Sequence, residues 1–478
     1  FREYGAVFLN VLNGREYAMY LLRLFGCGLL FTALYLLLFT DRRRAIPWLA
    51  TGTLLLQLGL NAFGLIAPSD DHIYTREYDP AYVDVSDALY EYFSRQDISP
   101  LTRAKNPDAS LNAGYPALAG ISALSSVDSA NSATRLGVFR ELGYTVNYFR
   151  ILDTGGTAFS DMLLGVDIIL SERPLDESLY TDTGETVGGL HIGASVYPGT
   201  VSLMFREGAL ADYLDLLSLP ERLNALYAAF TGTDDILAYT PEMTLTAEQA
   251  GLTTYTLALE LPDEALLYLA AEDAVLMNIT ADGQRIPVPT YRNADNTVYP
   301  AAFNANLLYL GVLGPGRAEV TFQSAAEVDP AKLTVTALDR DRLASFPAAA
   351  CHDDGITVSR EDDALTLTLA APAADMRLFL PLTYSSRWQC TVNGDPVTPE
   401  RALGTLMSLP LREGANTVRL QRGPARVTVS AGLILSVVTA LILTAVLLLR
   451  RFRPARFPSS PPAWTHTTAR ILFAAVLL

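Results

Sequence analysis

The sequence predicts a polytopic α-helical membrane protein carrying a large extracytoplasmic region of α/β plus β-sandwich, jelly-roll-like, structure. Three observations predict it. Apolar runs at 18–39, 45–67 and 427–449 each hold about the 20 residues needed to cross a hydrocarbon core. Basic clusters lie between the first two runs (Asp41-Arg42-Arg43-Arg44) and after the third (Arg450-Arg451-Phe452-Arg453, then Arg456). Short loops rich in Lys and Arg stay cytoplasmic, which puts the long middle stretch on the outer side. That stretch is acidic. The flanks carry +3 and +5, leaving −24 on 68–426 from a total of −16.

In chain order, 1–17 reads as an outer loop, followed by spans at 18–39 and 45–67. The outer region divides at a change of texture near Tyr239, into an α/β part at 68–238 and a β-sandwich part at 239–426. The span 427–449, a basic cytoplasmic linker at 450–470 rich in Pro and Ser, and the start of a truncated helix at 471–478 complete the chain. Both ends read as cut: the chain opens on Phe1 without a signal-peptide pattern, and its last apolar run is too short to span. The expectation is a fragment of a longer polytopic protein.

Composition excludes some classes. So acidic a surface argues against nucleic acid, whose phosphates need Lys and Arg, and against lying flat on anionic lipid. The outer stretch exceeds the size of a single core, so more than one unit is expected. Cys351 and Cys390 both fall in the outer region, where a disulfide could persist, but spacing does not show whether they meet. Cys-x-x-Cys is absent, so zinc-ribbon and thioredoxin readings have no support.

Within the outer region, Val83, Leu89, Tyr90 and Phe93 mark one side of an amphipathic helix over 79–95. Short helices are expected at 136–142, stopped by Gly143, and at 160–164, and a buried strand at 166–170. From Tyr239 onward, an alternating run at 252–261 and strand-like runs at 266–276, 298–309 and 318–322 read as strands, with Asp282-Gly283 as a hairpin turn. After a helix at 339–346, strands resume at 355–358, 364–370, 376–382 and 388–392, with Asn393-Gly394 as a second turn and 417–421 as the last strand. Short strands with frequent turns indicate a sandwich or jelly roll, and no tandem repeat is evident.

Two blocks of residues stand out for their order along the chain. The first comprises Ser110-Leu111-Asn112-Ala113-Gly114-Tyr115, Gly120-Ile121-Ser122-Ala123-Leu124-Ser125-Ser126, Phe139-Arg140-Glu141-Leu142-Gly143 and Leu164-Gly165-Val166-Asp167-Ile168-Ile169-Leu170. The second comprises Leu378-Phe379-Leu380-Pro381-Leu382-Thr383-Tyr384-Ser385-Ser386-Arg387-Trp388, Val392-Asn393-Gly394 and Leu409-Pro410-Leu411-Arg412-Glu413-Gly414-Ala415-Asn416. In that order they resemble the YfhO-type bacterial membrane proteins; the resemblance implies a protein of the bacterial cell membrane related to GT-C glycosyltransferases, taking sugar from a polyprenyl-phosphate carrier to an envelope polymer such as a teichoic acid. It also implies that the catalytic acid sits on an outer loop upstream of this fragment. The further apolar run at Ile471 departs from the family pattern. The alternative is a non-enzymatic envelope tether or a component that moves lipid-linked sugars.

The candidate substrate-binding residues are Asp70, Asp71, Tyr115, Tyr384, Trp388 and Asn393. Asp70 and Asp71 follow the second apolar run and could bind a divalent cation or act as base; a polar helix exit is the simpler reading. Tyr384 and Trp388, near Asn393 and Asp395, could stack on and hydrogen-bond a sugar, against a core role for Trp388. Tyr115 with Asn112, Ser125 and Ser126 could line a polar groove, or serve turns. Cys351-His352-Asp353-Asp354 has poor spacing for one metal, and the four His residues are scattered. Asp339-Arg340-Asp341 imitates a nucleotide-sugar motif but is better explained as a helix start. Gly155-Gly156 reads as an ordinary loop. No resident cofactor is evident beyond that possible cation.

Overall fold

The computed structural model of the chain describes residues 80–422 apart from short internal stretches, the longest being 128–132, 293–297 and 301–306. The described residues are mainly β-sheet with six α-helices. Among them no helix is long and apolar enough to cross a membrane. This corrects the expected polytopic α-helical class, which was read from apolar runs and the charges that flank them. The segments expected to span (18–39, 45–67, 427–449), the loop 1–17, the linker 450–470 and the run 471–478 lie outside the described residues.

The α/β part is built on two small sheets. In one, Arg103–Lys105, Val166–Ser171, Leu190–Ser195 and Tyr180–Val187 lie side by side, the first pair parallel and the others antiparallel. In the other, Arg150–Gly155 lies between Ser126–Val127 and Tyr144–Asn147. Helix Pro80–Phe93 buries Leu89 and Phe93, but Tyr90 is 56% exposed, because it lies off the stripe that those two residues define. Helix Ala133–Glu141 is followed by Gly143 at φ +90. Helix Ala158–Leu163 is capped by the Thr157 side chain, which accepts from the Ser160 amide. A longer helix, Leu219–Thr231, starts with a reciprocal capping box between Ser218 and Glu221 and ends at left-handed Gly232. It brings Tyr227 and Phe230 into the core. Tyr227 meets Phe159 and Phe346; Phe230 meets Phe205 and Phe379.

Two β-sandwiches follow, where the sequence suggested one. The first packs a five-stranded sheet, ordered Glu242–Ala250, Leu252–Leu261, Gly316–Ser324, Met277–Ala281 and Gln284–Arg285, on a four-stranded sheet containing Ala265–Ala271. The second packs a five-stranded sheet, ordered Thr357–Glu361, Ala364–Ala371, Gly414–Arg422, Trp388–Val392 and Asp395–Val397, on a four-stranded sheet containing Met376–Thr383. The five-stranded sheets have the same order: an opening hairpin, then the last strand, then an inner hairpin. Both inner hairpins turn on two residues of positive φ, Asp282 (45°) with Gly283 (79°) and Asn393 (54°) with Gly394 (85°). Buried positions also correspond: Leu257 and Leu259 with Leu367 and Leu369, Leu267 and Leu269 with Leu378 and Leu380, Val320 and Phe322 with Val418 and Leu420. The sandwich is a repeated unit. Its recurrence escapes a sequence reading because what repeats is alternation and turn chemistry, with few shared identities.

The α/β part is tied into this array. Strand Met204–Arg206 pairs with Met376–Thr383 at the edge of the second sandwich. The half-buried Arg103 guanidinium donates to the carbonyls of Leu164 and Pro381. Burial lowers its pKa to about 10.

Asn393 anchors the second inner hairpin. Its amide nitrogen donates to Thr417 O and its side-chain oxygen accepts from Thr417 N, each at 2.8 Å. An alanine there would keep the strained φ and lose the side-chain bond. We expect Asn393→Ala to weaken the hairpin by about 1–2 kcal/mol, read as roughly tenfold faster amide exchange in Trp388–Val392.

Candidate functional site

The carboxyl ends of parallel strands leave room for ligands, and the parallel pair Arg103–Lys105 and Val166–Ser171 ends in polar side chains. Lys105 closes the first strand, Asn106 and Asp108 follow it, and Ser171 closes the second. Lys105 Nζ lies 2.6 Å from Asp161 Oδ2 and donates to Gly155 O at 2.9 Å. The two side chains are 4% and 7% exposed. The Tyr144 hydroxyl donates to the other Asp161 oxygen at 2.5 Å. Behind this pair, Asp153 accepts from the Tyr115 hydroxyl (2.7 Å), the Ser125 amide (2.7 Å) and the Asn106 amide (3.2 Å). Asp108 accepts from Asn106 Nδ2 (2.7 Å), the Glu172 amide (2.8 Å), the Ser171 hydroxyl (3.0 Å) and the Ser110 amide (3.1 Å).

Burial dominates the electrostatics. It pushes the Asp153 carboxyl up to about 6 from 3.8, against the pull of its three donors and of Lys105. Burial also raises Asp161, opposed by Lys105 and Tyr144. Tyr144 is held well above its ordinary value by burial and by Asp161 beside it, so it remains a hydrogen-bond donor.

These groups border a cavity of about 270 Å³. Lys105, Asp108, Asp161 and Ser171 line it from the α/β part, with Arg173 and Asp176 on the following loop. Tyr180, Tyr268 and Tyr309 add aromatic surface, and Gln284–Pro287 from the first sandwich's inner hairpin close it. Tyr268 Oη accepts from the Ala158 amide at 3.0 Å; the Tyr309 and Ser178 hydroxyls lie 2.7 Å apart. Gly155 and Gly156, read above as an ordinary loop, form part of the wall, at φ +77 and +73. A Cβ on Gly155 would collide with Gly143 O, and one on Gly156 would sit 2.5 Å from the Tyr144 ring. Glycine is required at both for conformation and for space.

Of the residues singled out in the sequence, Asp70 and Asp71 lie outside the described residues, as do Asn112, His352, Asp353 and Asp354. Tyr115 and Ser125 do converge, on Asp153, but Tyr115 is 1% exposed. Tyr384, Trp388 and Asn393 all belong to the second sandwich. The Arg401 guanidinium lies 5.0 Å from the Tyr384 ring centroid. Trp388 is half-buried against the sandwich core and its indole N–H donates to Thr383 O at 3.1 Å. The Asn393 amide is used in the hairpin described above. Asp339 caps helix Arg340–Ala349, accepting from the Arg342 amide at 3.0 Å, and so is the helix start that its sequence suggested. Cys351 and Cys390 are free thiols. Among the described residues no group of three or more His, Cys, Asp or Glu side chains is placed to hold a metal ion.

Lys105, Asp108, Asp153, Asp161 and Arg173 were missed in the sequence. One signal was available: Lys105 is one of only two lysines among 35 basic Lys and Arg residues. A lysine offers a compact charge on a flexible stem where the fork of arginine would not fit.

The fold and site thus define a β-rich protein with a duplicated sandwich and a polar cavity between its α/β part and the first copy. A family model described as bacterial membrane protein YfhO matches residues 242–435. The match covers most of both sandwiches and bears out the resemblance to YfhO-type bacterial membrane proteins seen in the sequence. Much of the cavity lies upstream of the match. No curated protein matches. Among solved structures, a GH2 beta-galacturonidase from Eisenbergiella tayi bound to galacturonate shares 11% identity over 37% of this chain, with a TM-score of 0.13. This chain spans 30% of that enzyme, and the likeness carries no argument.

Two expectations follow. Because the folded Asp153 pKa of about 6 exceeds 3.8, the group's contribution to stability is complete below 3.8 and is lost as pH rises through 6. The thermal midpoint should therefore rise as pH falls from 7 to 5, and Asp153→Asn should flatten that slope. Gly156→Ala should cost about 2–4 kcal/mol, combining left-handed strain with displacement of the Tyr144 ring, and lower the midpoint at pH 7.

Proposed function

We propose that the described region is the glycan-recognition part of a membrane-associated glycosyltransferase of the bacterial envelope. In this reading it lies on the outer side of the membrane and takes an envelope polymer as acceptor, with a polyprenyl-phosphate-linked sugar as donor. The carrying observation is the cavity bordered by Lys105, Asp108, Asp161 and Ser171 and by three tyrosines. A pyranose presents a ring of hydroxyls around apolar C–H faces. The cavity offers the complementary set, fixed donors and acceptors beside aromatic walls, in a volume at the small end for ligand pockets and suited to one sugar unit. Its polar groups are held in place by buried hydrogen bonds, so little ordering is needed on binding. The strongly acidic outer stretch suits an extracytoplasmic setting. Catalysis is assigned to the acid that the family resemblance implies upstream; the described residues contribute recognition.

Leu175 lines the cavity and is partly buried. In cells that express the full-length protein, Leu175→Trp should fill the cavity and abolish sugar incorporation into the envelope polymer, with the protein present in the membrane at wild-type level. Undiminished incorporation would overturn the reading.

A further inference from the structure

The charges around the cavity are unequally committed. Each carboxylate in the wall already has partners. Asp161 is held by Lys105 and Tyr144, and Asp108 by four donors. Asp176 accepts from the Ser178 amide and hydroxyl. Lys105 is itself consumed by Asp161 and Gly155 O. Two cations remain, Arg173 and Arg285. Both line the cavity, and neither guanidinium has a hydrogen-bond or ion-pair partner among the described residues. They come from different parts of the fold: Arg173 follows strand Val166–Ser171, and Arg285 ends the inner hairpin of the first sandwich.

The duplication supplies an internal comparison. In the second sandwich the register places Pro396 where the first has Arg285, and the neighbouring Asp395, equivalent to Gln284, is paired with Arg412 at 2.5 Å. The copy that faces the cavity carries an arginine whose guanidinium has no partner among the described residues; the copy that does not has an acid neutralised at home. In a stretch of net charge −24, acids to pair with surface arginines are abundant. Two guanidiniums without a partner among the described residues, at one concavity whose carboxylates already have donors, form a receptor for an anion.

We infer that Arg173 and Arg285 bind an anionic substituent, a phosphate or a carboxylate, carried by the sugar that fills the cavity. This rests on the glycan reading and narrows it to an acidic or phosphorylated glycan unit. A guanidinium meets such a group through two parallel N–H···O bonds, and a second guanidinium completes the neutralisation of a phosphate. The surrounding acidic surface then acts as a filter, because an anion gains nothing from it except at these two side chains.

The test uses the full-length chain in neutral lipid nanodiscs and titration calorimetry with four probes: a hexose, its 1-phosphate, the matching hexuronate, and inorganic phosphate. The phosphorylated or the carboxylated sugar should bind at least about tenfold more tightly than the neutral hexose, and whichever does so names the anion. In the double variant Arg173→Gln/Arg285→Gln that preference should vanish while neutral hexose binding persists. Arg173→Lys should retain part of it. Neither guanidinium has a partner among the described residues, so the thermal midpoint of the double variant should match the wild type. Equal affinity for charged and neutral sugars, or a preference that survives the double variant, would overturn the inference and leave the glycan reading standing. Binding of inorganic phosphate that requires the two arginines, with no hexose bound, would keep the anion site and remove the glycan reading.

Discussion

A lysine ammonium and an aspartate 2.6 Å apart, both withdrawn from water, hold the α/β part together. Such a pair adds little net stability against an apolar alternative, but removing one partner costs about 3–5 kcal/mol because the other is left charged and alone. Here it also sets geometry. Lys105 fixes the end of its strand to Gly155 O, and Asp161 fixes the start of a helix to Tyr144. Tyr144 in turn packs against Gly156. The cavity wall is thus a closed set of mutual constraints, and its shape exists before any ligand arrives.

The parts of the fold that were legible are those in which neighbours along the chain settle the structure. The alternation over Leu252–Leu261 and Trp388–Val392 and the turns at Asp282-Gly283 and Asn393-Gly394 are local, and each is found where it was expected. Helix Leu219–Thr231 was passed over although Ser218, Glu221 and Gly232 bracket it with start and stop signals. The site was not legible. Its anchor strand Arg103–Lys105 is three residues long, too short for any periodicity, and its partners stand tens of residues away. Nothing in the sequence near Lys105 announces Asp161. The Gly155-Gly156 pair looks like any loop until the Tyr144 ring is placed over it. Membrane class was read from apolar length, and the described residues are instead a set of sheets in which Leu and Val alternate with polar residues.

Duplication explains how one scaffold came to have two differently used ends. The cores of the two sandwiches keep the same buried rows, so each copy meets the same packing requirement. The inner hairpins are free of that requirement at their tips. One tip closes the cavity with Gln284–Pro287; the other is held by Asn393, Thr417, Asp395 and Arg412 as a local structure of its own.

The strand Met204–Arg206 gives the second sandwich part of its edge, yet it is made long before the rest of that sheet. On the ribosome it must remain without its partner until Met376–Thr383 has emerged, so the carboxy-terminal sheet is completed only near the end of synthesis. A segment cut at the amino-terminal limit of the family match would leave that β-edge bare and open to pairing with other chains. The natural unit of folding therefore begins well upstream of the unit that sequence similarity delimits.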